Sequence, residues 1–531
     1  MYQHDRSGRM QGPNLPSRER DSPTATDSGP AFSAGQFAGN TAAKRVNECS
    51  PGHKPLVQTA RMPAQRRERT VLTHTLRSLG KWEELQIRSD AELRNAAAQF
   101  TMLEQNNWLS TAQFPVIDHT VLFPEMVDVV VVGAGYTGLS AARTLSKRGA
   151  RVAVLEQHTI GWGASSRNGG MVLTGMKLGV NELISKYGRD RTRQMYAASL
   201  ASIDCVERIV LEENIECDFD RCGHLEVACK QKHFETYQRR AELIEVEFNH
   251  PLRVVPRSDL HVEIGSTIYY GGIVDEVSAG CNPARYVAGL AASALKAGAQ
   301  VFEQTRVESI QRDSLQGELG WKLATSRGPI WAHEVLIATS GYTGPATPAL
   351  QKKLIPIGSF IITTEILPQS LASELSPRQR MIFDSKNFLH YYRLTPDRRM
   401  LFGGRAAFFP ESEQTVRRSA EILRRGMIHV YPQLTDARVE YVWGGTLDFA
   451  FDIMPHAGQI DGMYYAAGYA GHGVAMATYQ GQRIAQMMAG DQVENPFVGI
   501  PFPEAPFGLY SGKPWFLPFA GAWYKFLDWV S

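Results

Sequence analysis

The stretch VVVVGAGYTGLSAARTLSKRGARVAVLEQ, Val129 to Gln157, decides the fold. Its four consecutive valines are apolar on both faces, as a strand inside a parallel sheet must be. Gly133, Gly135 and Gly138 follow with the spacing G-x-G-x-x-G. The first permits a tight turn, the second lets the backbone approach a pyrophosphate, and the third lets the next helix pack on the strand. That helix would offer unpaired N–H groups and a positive dipole end to the phosphates. RVAVLE then supplies a second strand, closed by Glu156 with Gln157 beside it. A carboxylate there accepts hydrogen bonds from a ribose 2′-hydroxyl and repels a 2′-phosphate, which disfavours NADP. Strand, turn, helix and acid together predict the ADP half of a dinucleotide site. NAD and FAD both carry that half and remain open at this point.

The loop directly after the second strand, GWGASSRNGG (Gly161 to Gly170), narrows the choice. Ser165 and Ser166 can offer hydroxyls and N–H groups to phosphate, and Arg167 can add charge-assisted bonds. Asn168 follows, and Gly169 and Gly170 allow a flat ring to come close to the backbone. An ordinary surface turn would have the same composition, so the loop does not decide alone.

Elsewhere the chain alternates between two kinds of pattern. Residues 190–213 and Asn282–Gly298 read as helices, the second with Asn282 as N-cap and Pro283 at the first helical position. AQVFEQTRVESIQ and EVLIATSGYTG read as strands, as does part of CDFDRCGHLEVACK. Residues 354–410 alternate apolar and polar in GSFIITTEI and LHYYRL, which predicts antiparallel sheet, and a helix is expected over 413–430. GMYYAAGYAGHGVAMATYQGQRIAQMMAG gives a strand, a glycine-rich turn and a long helix.

Taken together, the glycine fingerprint, Glu156, GWGASSRNGG, VLIATSGYTG and AAGYAGHGVAMA resemble the D-amino-acid oxidase superfamily of FAD-dependent oxidoreductases, most closely its γ-glutamylputrescine oxidase-like branch. The resemblance runs from about Met102 to the C-terminus, with the four motifs in the family's order. It implies an α/β fold (α+β overall): a Rossmann-like FAD-binding domain with a discontinuous antiparallel-sheet substrate domain. The expected division is 101–175, 278–345 and 440–495 for the FAD-binding part and 176–277 with 346–439 for the substrate part. Residues 496–531 are expected to be an aromatic tail packed on the body. Position by position, the resemblance implies that Gly133, Gly135 and Gly138 hold the FAD pyrophosphate and Glu156, with Gln157, the adenosine ribose. Ser165, Arg167, Asn168, Gly169 and Gly170 would line phosphates and flavin, Val307 would touch adenine, and Thr339 and Gly341 would pass near the pyrophosphate. Gly468, Gly471, His472, Gly473 and Val474 would border the flavin ring at a helix N-terminus. N–H groups and a dipole aimed there would favour the anionic reduced flavin.

The family's α-amino-acid oxidases carry an Arg-Pro pair whose arginine grips the substrate carboxylate. Here VWGGTLDFAFDIMPHAG occupies that run, with Thr446 and Leu447 in the pair's place. A buried carboxylate without its cation is costly. The departure favours an amine, with a D-amino acid or N-methyl amino acid as the alternative, and Arg393 or Arg405 as other sources of a clamp. The implied reaction is hydride transfer from the C–H beside a neutral amine to flavin N5, followed by hydrolysis of the imine, with O2 or a quinone taking the electrons. NFLHYYRL is the candidate substrate face, through His390, Tyr392 and Arg393. His390 and Tyr392 are in phase along the strand, as are Tyr391 and Arg393, so only one pair can point inward.

Composition removes several other classes. A formal net charge of +2 gives no basis for nucleic-acid binding. Six cysteines form no ladder of short spacings. C-x4-C-x-H-x4-C over Cys217 to Cys229 matches no regular zinc pattern, so no metal is expected, and FAD is expected to be held non-covalently despite Cys281. With no apolar signal region and no long apolar run, the expected compartment is the cytoplasm. Residues 1–100 are polar and charged and are expected to be a disordered or weakly helical extension, with Met102 as a candidate start of translation. A scaffold role through a basic arm that includes Arg66 to Arg69 is the reading from a different functional class.

Overall fold

A computed structural model describes residues 102–404 and 413–505, together with 508, 510–519, 521 and 523. The expected N-terminal extension and Arg405 lie outside the described residues.

The Val129 stretch folds as its pattern requires. Strand β1 (Met126–Val132) is followed by helix α1 (Tyr136–Ser146) and strand β2 (Val152–Leu155). β1 runs parallel to β2 on one side and to Gly328–Ile337 on the other. Gln300–Phe302 extends the parallel sheet beyond β2, and Met463–Ala467 extends it beyond Gly328–Ile337. Val130, Val131, Ala153 and Val154 are fully buried, because helices or an antiparallel leaf cover both faces. That leaf is Val307–Leu315, Glu318–Thr325 and Gly328–Ile337, joined by two tight turns.

A second eight-stranded sheet lies beside the first. Its order is Val439–Ala450, Leu354–Thr364, Met400–Gly404, His390–Leu394, Met381–Asp384, His224–Val227, Gly271–Asp275 and Arg253–Pro256. Every pairing is antiparallel except Met381–Asp384 with His224–Val227. One correction to the expected division follows. Val439–Ala450, assigned with the nucleotide-binding part from 440 on, pairs along its length with Leu354–Thr364 and belongs to this second sheet. A strand candidate looks alike from either side of a domain crossing, and only its partner shows which sheet it joins.

Alternation gives the second sheet two different faces. Leu225, Val274, Phe360, Ile362, Ile382, Tyr392 and Phe402 form one face and pack with helix Glu413–Val430 into a core of their own. The opposite face carries Glu226, Phe383, Tyr391 and Ser359 and looks into a cavity. At the C-terminus, Tyr510 donates to the Leu354 carbonyl at 2.6 Å, and Leu517 is buried against Ile355, Ile357 and Phe449. Trp515, Phe519 and Trp523 remain exposed.

Candidate active site

The cavity, about 1000 Å3, lies where the C-terminal edge of the parallel sheet meets the open face of the second sheet. This is where ligands bind in open α/β sheets. The glycine turn closes one end. Gly133 has φ +106°, and a Cβ there would stand 2.8 Å from the Ala338 carbonyl oxygen. A Cβ on Gly138 would lie 2.0 Å from the Gly133 oxygen, so helix α1 sits as close to the turn as backbone allows. The Glu156 carboxylate accepts the N–H groups of Ala134 and His158, each at 2.9 Å, which fixes it at the end of β2.

Among the helix N-termini that open on the cavity with no bond from the N-cap side chain are α1, behind Gly135, whose Tyr136 N–H is accepted by Ser165 Oγ at 3.1 Å, and Gly473–Met488, behind His472. Their first N–H groups and dipoles suit an anionic, hydrogen-bond-accepting guest. The residues therefore fit a dinucleotide: a preset carboxylate, a glycine cradle and helix N-termini that open on the cavity.

Most of the residues expected at the cofactor line this cavity. They are Gly133, Gly135, Glu156, Gln157, Ser165, Arg167, Asn168, Gly169, Val307, Thr339, Gly471, His472, Gly473 and Val474. Gly138, Gly170, Gly341 and Gly468 stand one layer behind, where they let neighbouring backbones approach. Asn168 is a brace: its side chain donates to the carbonyls of Ala164 and Ser165 and accepts the Gly170 N–H at 2.8 Å. Burial first, and then Lys177 and His224 nearby, push the His472 imidazole down to about 3, so it is neutral at the helix end.

The substrate-face expectation needs correcting. His390 and Tyr392 take the inner phase of their strand, not the cavity phase. Tyr392 is fully buried and shares a 2.8 Å hydrogen bond with Tyr269, while the His390 ring packs 5.0 Å from that of Phe402. The helix Glu413–Val430 covers that face and decides the phase. Arg393 has the other phase, but it is buried. Its Nη1 donates to the carbonyls of Gly170 and Cys281 at 3.1 and 3.3 Å, so it holds the cofactor loop from behind. Tyr391 is the residue on the wall. Its ring lies over Gly169, and its hydroxyl is 3.1 Å from Ser359 Oγ.

Two groups on the wall lay outside the sequence reading. His158, Trp162 and Tyr342 form an aromatic run, with ring centroids 3.8 Å apart for the first pair and 5.5 Å for the second. Arg167 sits 5.2 Å over Trp162. At the opposite end stand His224, Glu226, Arg240 and Asp275. Strand alternation through GHLEV places His224 and Glu226 on one face; the helix that covers them, Gln231–Phe248, is the next element in the chain, and only the fold shows which of its faces turns to the sheet.

Comparison with known proteins settles the family. Residues 128–487 match DAO, the FAD dependent oxidoreductases. The chain belongs to this family. It is 32% identical over 432 residues to a probable oxidoreductase OrdL of Haemophilus influenzae, covering 78% of this chain and 94% of that one. It is 31% identical over 404 residues to gamma-glutamylputrescine oxidoreductase of Escherichia coli, covering 76% and 92%. Among solved structures, glycine oxidase from Geobacillus kaustophilus superposes with a TM-score of 0.60 at 21% identity, over 72% of this chain and 99% of that one. The chain is thus an FAD-dependent oxidoreductase, with FAD as its cofactor.

Proposed function

We propose that the protein oxidises a C–N bond of an amine, of the kind presented by γ-glutamylputrescine, releasing an imine that hydrolyses to an aldehyde. The observation that carries this reading is the disposition of the arginines: none on the described wall is placed as the family's clamp, and the other cation there, Lys177, lies near His472. An α-amino-acid substrate needs a cation for its carboxylate beside the reacting carbon. Thr446 and Leu447 line the wall where the resemblance expects that cation, and Arg393 is turned onto two backbone carbonyls. Arg167 is held by the carbonyls of Trp162 and Gly444, and Arg306 pairs with Glu308. Arg240 pairs with Glu226 on the part of the wall that the second sheet builds. Similarity over nine-tenths of the Escherichia coli relative supports the same substrate class.

Bound FAD supplies the two-electron acceptor for the C–H beside the amine nitrogen. The chain's residues present the substrate. Tyr391 and Ser359 offer a hydroxyl pair that can hold the amine and orient its lone pair. Burial keeps His224 and His472 neutral, so neither repels an approaching ammonium nor competes for its proton. Glu156, Gln157 and Val307 would hold the adenosine end, and the glycine turn with Ser165 would hold the pyrophosphate. The N-terminal end of Gly473–Met488 would border the flavin, whose electrons would pass to O2 or a quinone. Incubating the purified protein with amines and amino acids, with mass spectrometry for the aldehyde and a peroxide assay for the acceptor, tests the reading. Turnover of α-amino acids alone would overturn it.

A further inference from the structure

The end of the cavity built by the second sheet is charged. Register sets His224 across from Asp275 and Glu226 across from Ile273, so all four share the cavity face. Helix Gln231–Phe248 lays Arg240 and Ile244 over them, and Tyr196 and Leu252 complete a largely apolar surround. The two carboxylates differ in how they are used. Asp275 accepts from His250 at 3.0 Å, from the Val277 N–H at 2.9 Å and from Thr174. It is spent on the fold. Glu226 receives Arg240 Nη2 on Oε2, and Arg240 Nε is buried with no hydrogen-bond partner. The guanidinium, 4.8 Å over the Tyr237 ring, uses a small part of its donor fork.

An ion pair removed from water contributes little to folding, and an apolar pair of the same volume often does as well or better. Stability is thus a poor explanation for placing one on a cavity wall. We infer that Glu226 and Arg240 read the end of the substrate remote from the oxidised carbon, and that this end carries both a carboxylate and an ammonium group, as an α-amino-acid head does. The carboxylate takes the accessible Nη arms that Glu226 leaves open, since Nε is buried. The ammonium takes Glu226. A tail with only positive charge would compete with Arg240 for Glu226 and meet its repulsion. A tail with only negative charge would face Glu226 and Asp275. A dipolar head leaves the chamber neutral, which matters where the dielectric is low.

This rests on the amine-oxidising reading, and the test separates the two. The holoenzyme is titrated calorimetrically with N5-propylglutamine, which keeps the dipolar head and has no terminal amine to oxidise, and with N-propylbutanamide, which has neither charge. The wild type should bind the first at least about tenfold more tightly. Arg240→Met or Glu226→Gln should weaken it by about 30-fold or more, the scale for removing one partner of a buried charge pair, with the uncharged amide unaffected. Arg240→Lys should recover part of the loss. If a single variant loses its flavin, Glu226→Leu with Arg240→Met leaves an apolar wall that should fold and show no preference. Equal binding of both probes by the wild type, or equal weakening of both by the variants, overturns the inference. The head effect without flavin bleaching by any amine supports this subsite and removes the amine reading instead.

Discussion

Adding one methyl group at two glycines three residues apart should separate folding from cofactor binding. At Gly138 the new Cβ would lie 2.0 Å from the Gly133 oxygen, against the 3.4 Å at which ordinary contact begins, so α1 must retreat by about 1.4 Å. Overpacking of this kind costs about 1–3 kcal/mol. The retreat also draws the helix N-terminus away from the cavity. Gly138→Ala should therefore lose stability and bind FAD at least about tenfold more weakly. At Gly135 the Cβ would meet only Ser165 Oγ, at 3.0 Å, and the backbone is extended with φ −90°, which alanine adopts freely. Gly135 lines the cavity, whereas Gly138 does not. Gly135→Ala should unfold within about 0.5 kcal/mol of wild type yet also lose FAD affinity tenfold or more, because the methyl group would project into the cavity where we propose the pyrophosphate binds. Urea unfolding of the apoprotein and titration of flavin fluorescence measure the two effects. If Gly138→Ala keeps both stability and FAD affinity, or Gly135→Ala binds FAD as wild type does, the placement of the cofactor on this turn is wrong.

Tyr391→Phe should lower kcat/KM about tenfold with little change in stability, since it removes a hydroxyl on the cavity wall. Tyr392→Phe should do the reverse, costing about 1–2 kcal/mol by stranding Tyr269 while sparing kcat/KM. Equal kinetic damage from the two would refute the assigned strand phase. The thermal midpoint should fall between pH 8 and pH 5. His472, pushed down to about 3 by burial first, and His224, also lowered by burial, stay neutral in the fold but take protons in the unfolded chain below about pH 6.5. Asp275, which burial would raise but the His250 hydrogen bond holds at about 2, adds stability above about pH 4 that is lost on further acidification. A midpoint that rises on going from pH 8 to pH 5 would contradict both imidazole assignments.

The nucleotide half of the molecule was legible because its signals are local. Four valines, three glycines and an acid lie within one 29-residue stretch, and each has a single geometric use. The substrate half was legible only as alternation. The strand HYYRL has two equivalent phases, and the helix that chooses between them, Glu413–Val430, adjoins it only in the fold. The Glu226–Arg240 pair spans two consecutive elements, yet it could not be read because the packing of Gln231–Phe248, and not its sequence, decides which helix face meets the strand. Val439–Ala450 was misassigned because its partner strand lies some eighty residues upstream.

Anaerobic titration of the purified holoprotein, followed by the flavin absorbance near 450 nm, tests the central claim most directly. Amines with a free terminal CH–NH2 group should bleach the band to completion at one equivalent per flavin, and simple α-amino acids should leave it unchanged. A protein without bound flavin, or a band bleached by α-amino acids and untouched by every amine, would contradict the account.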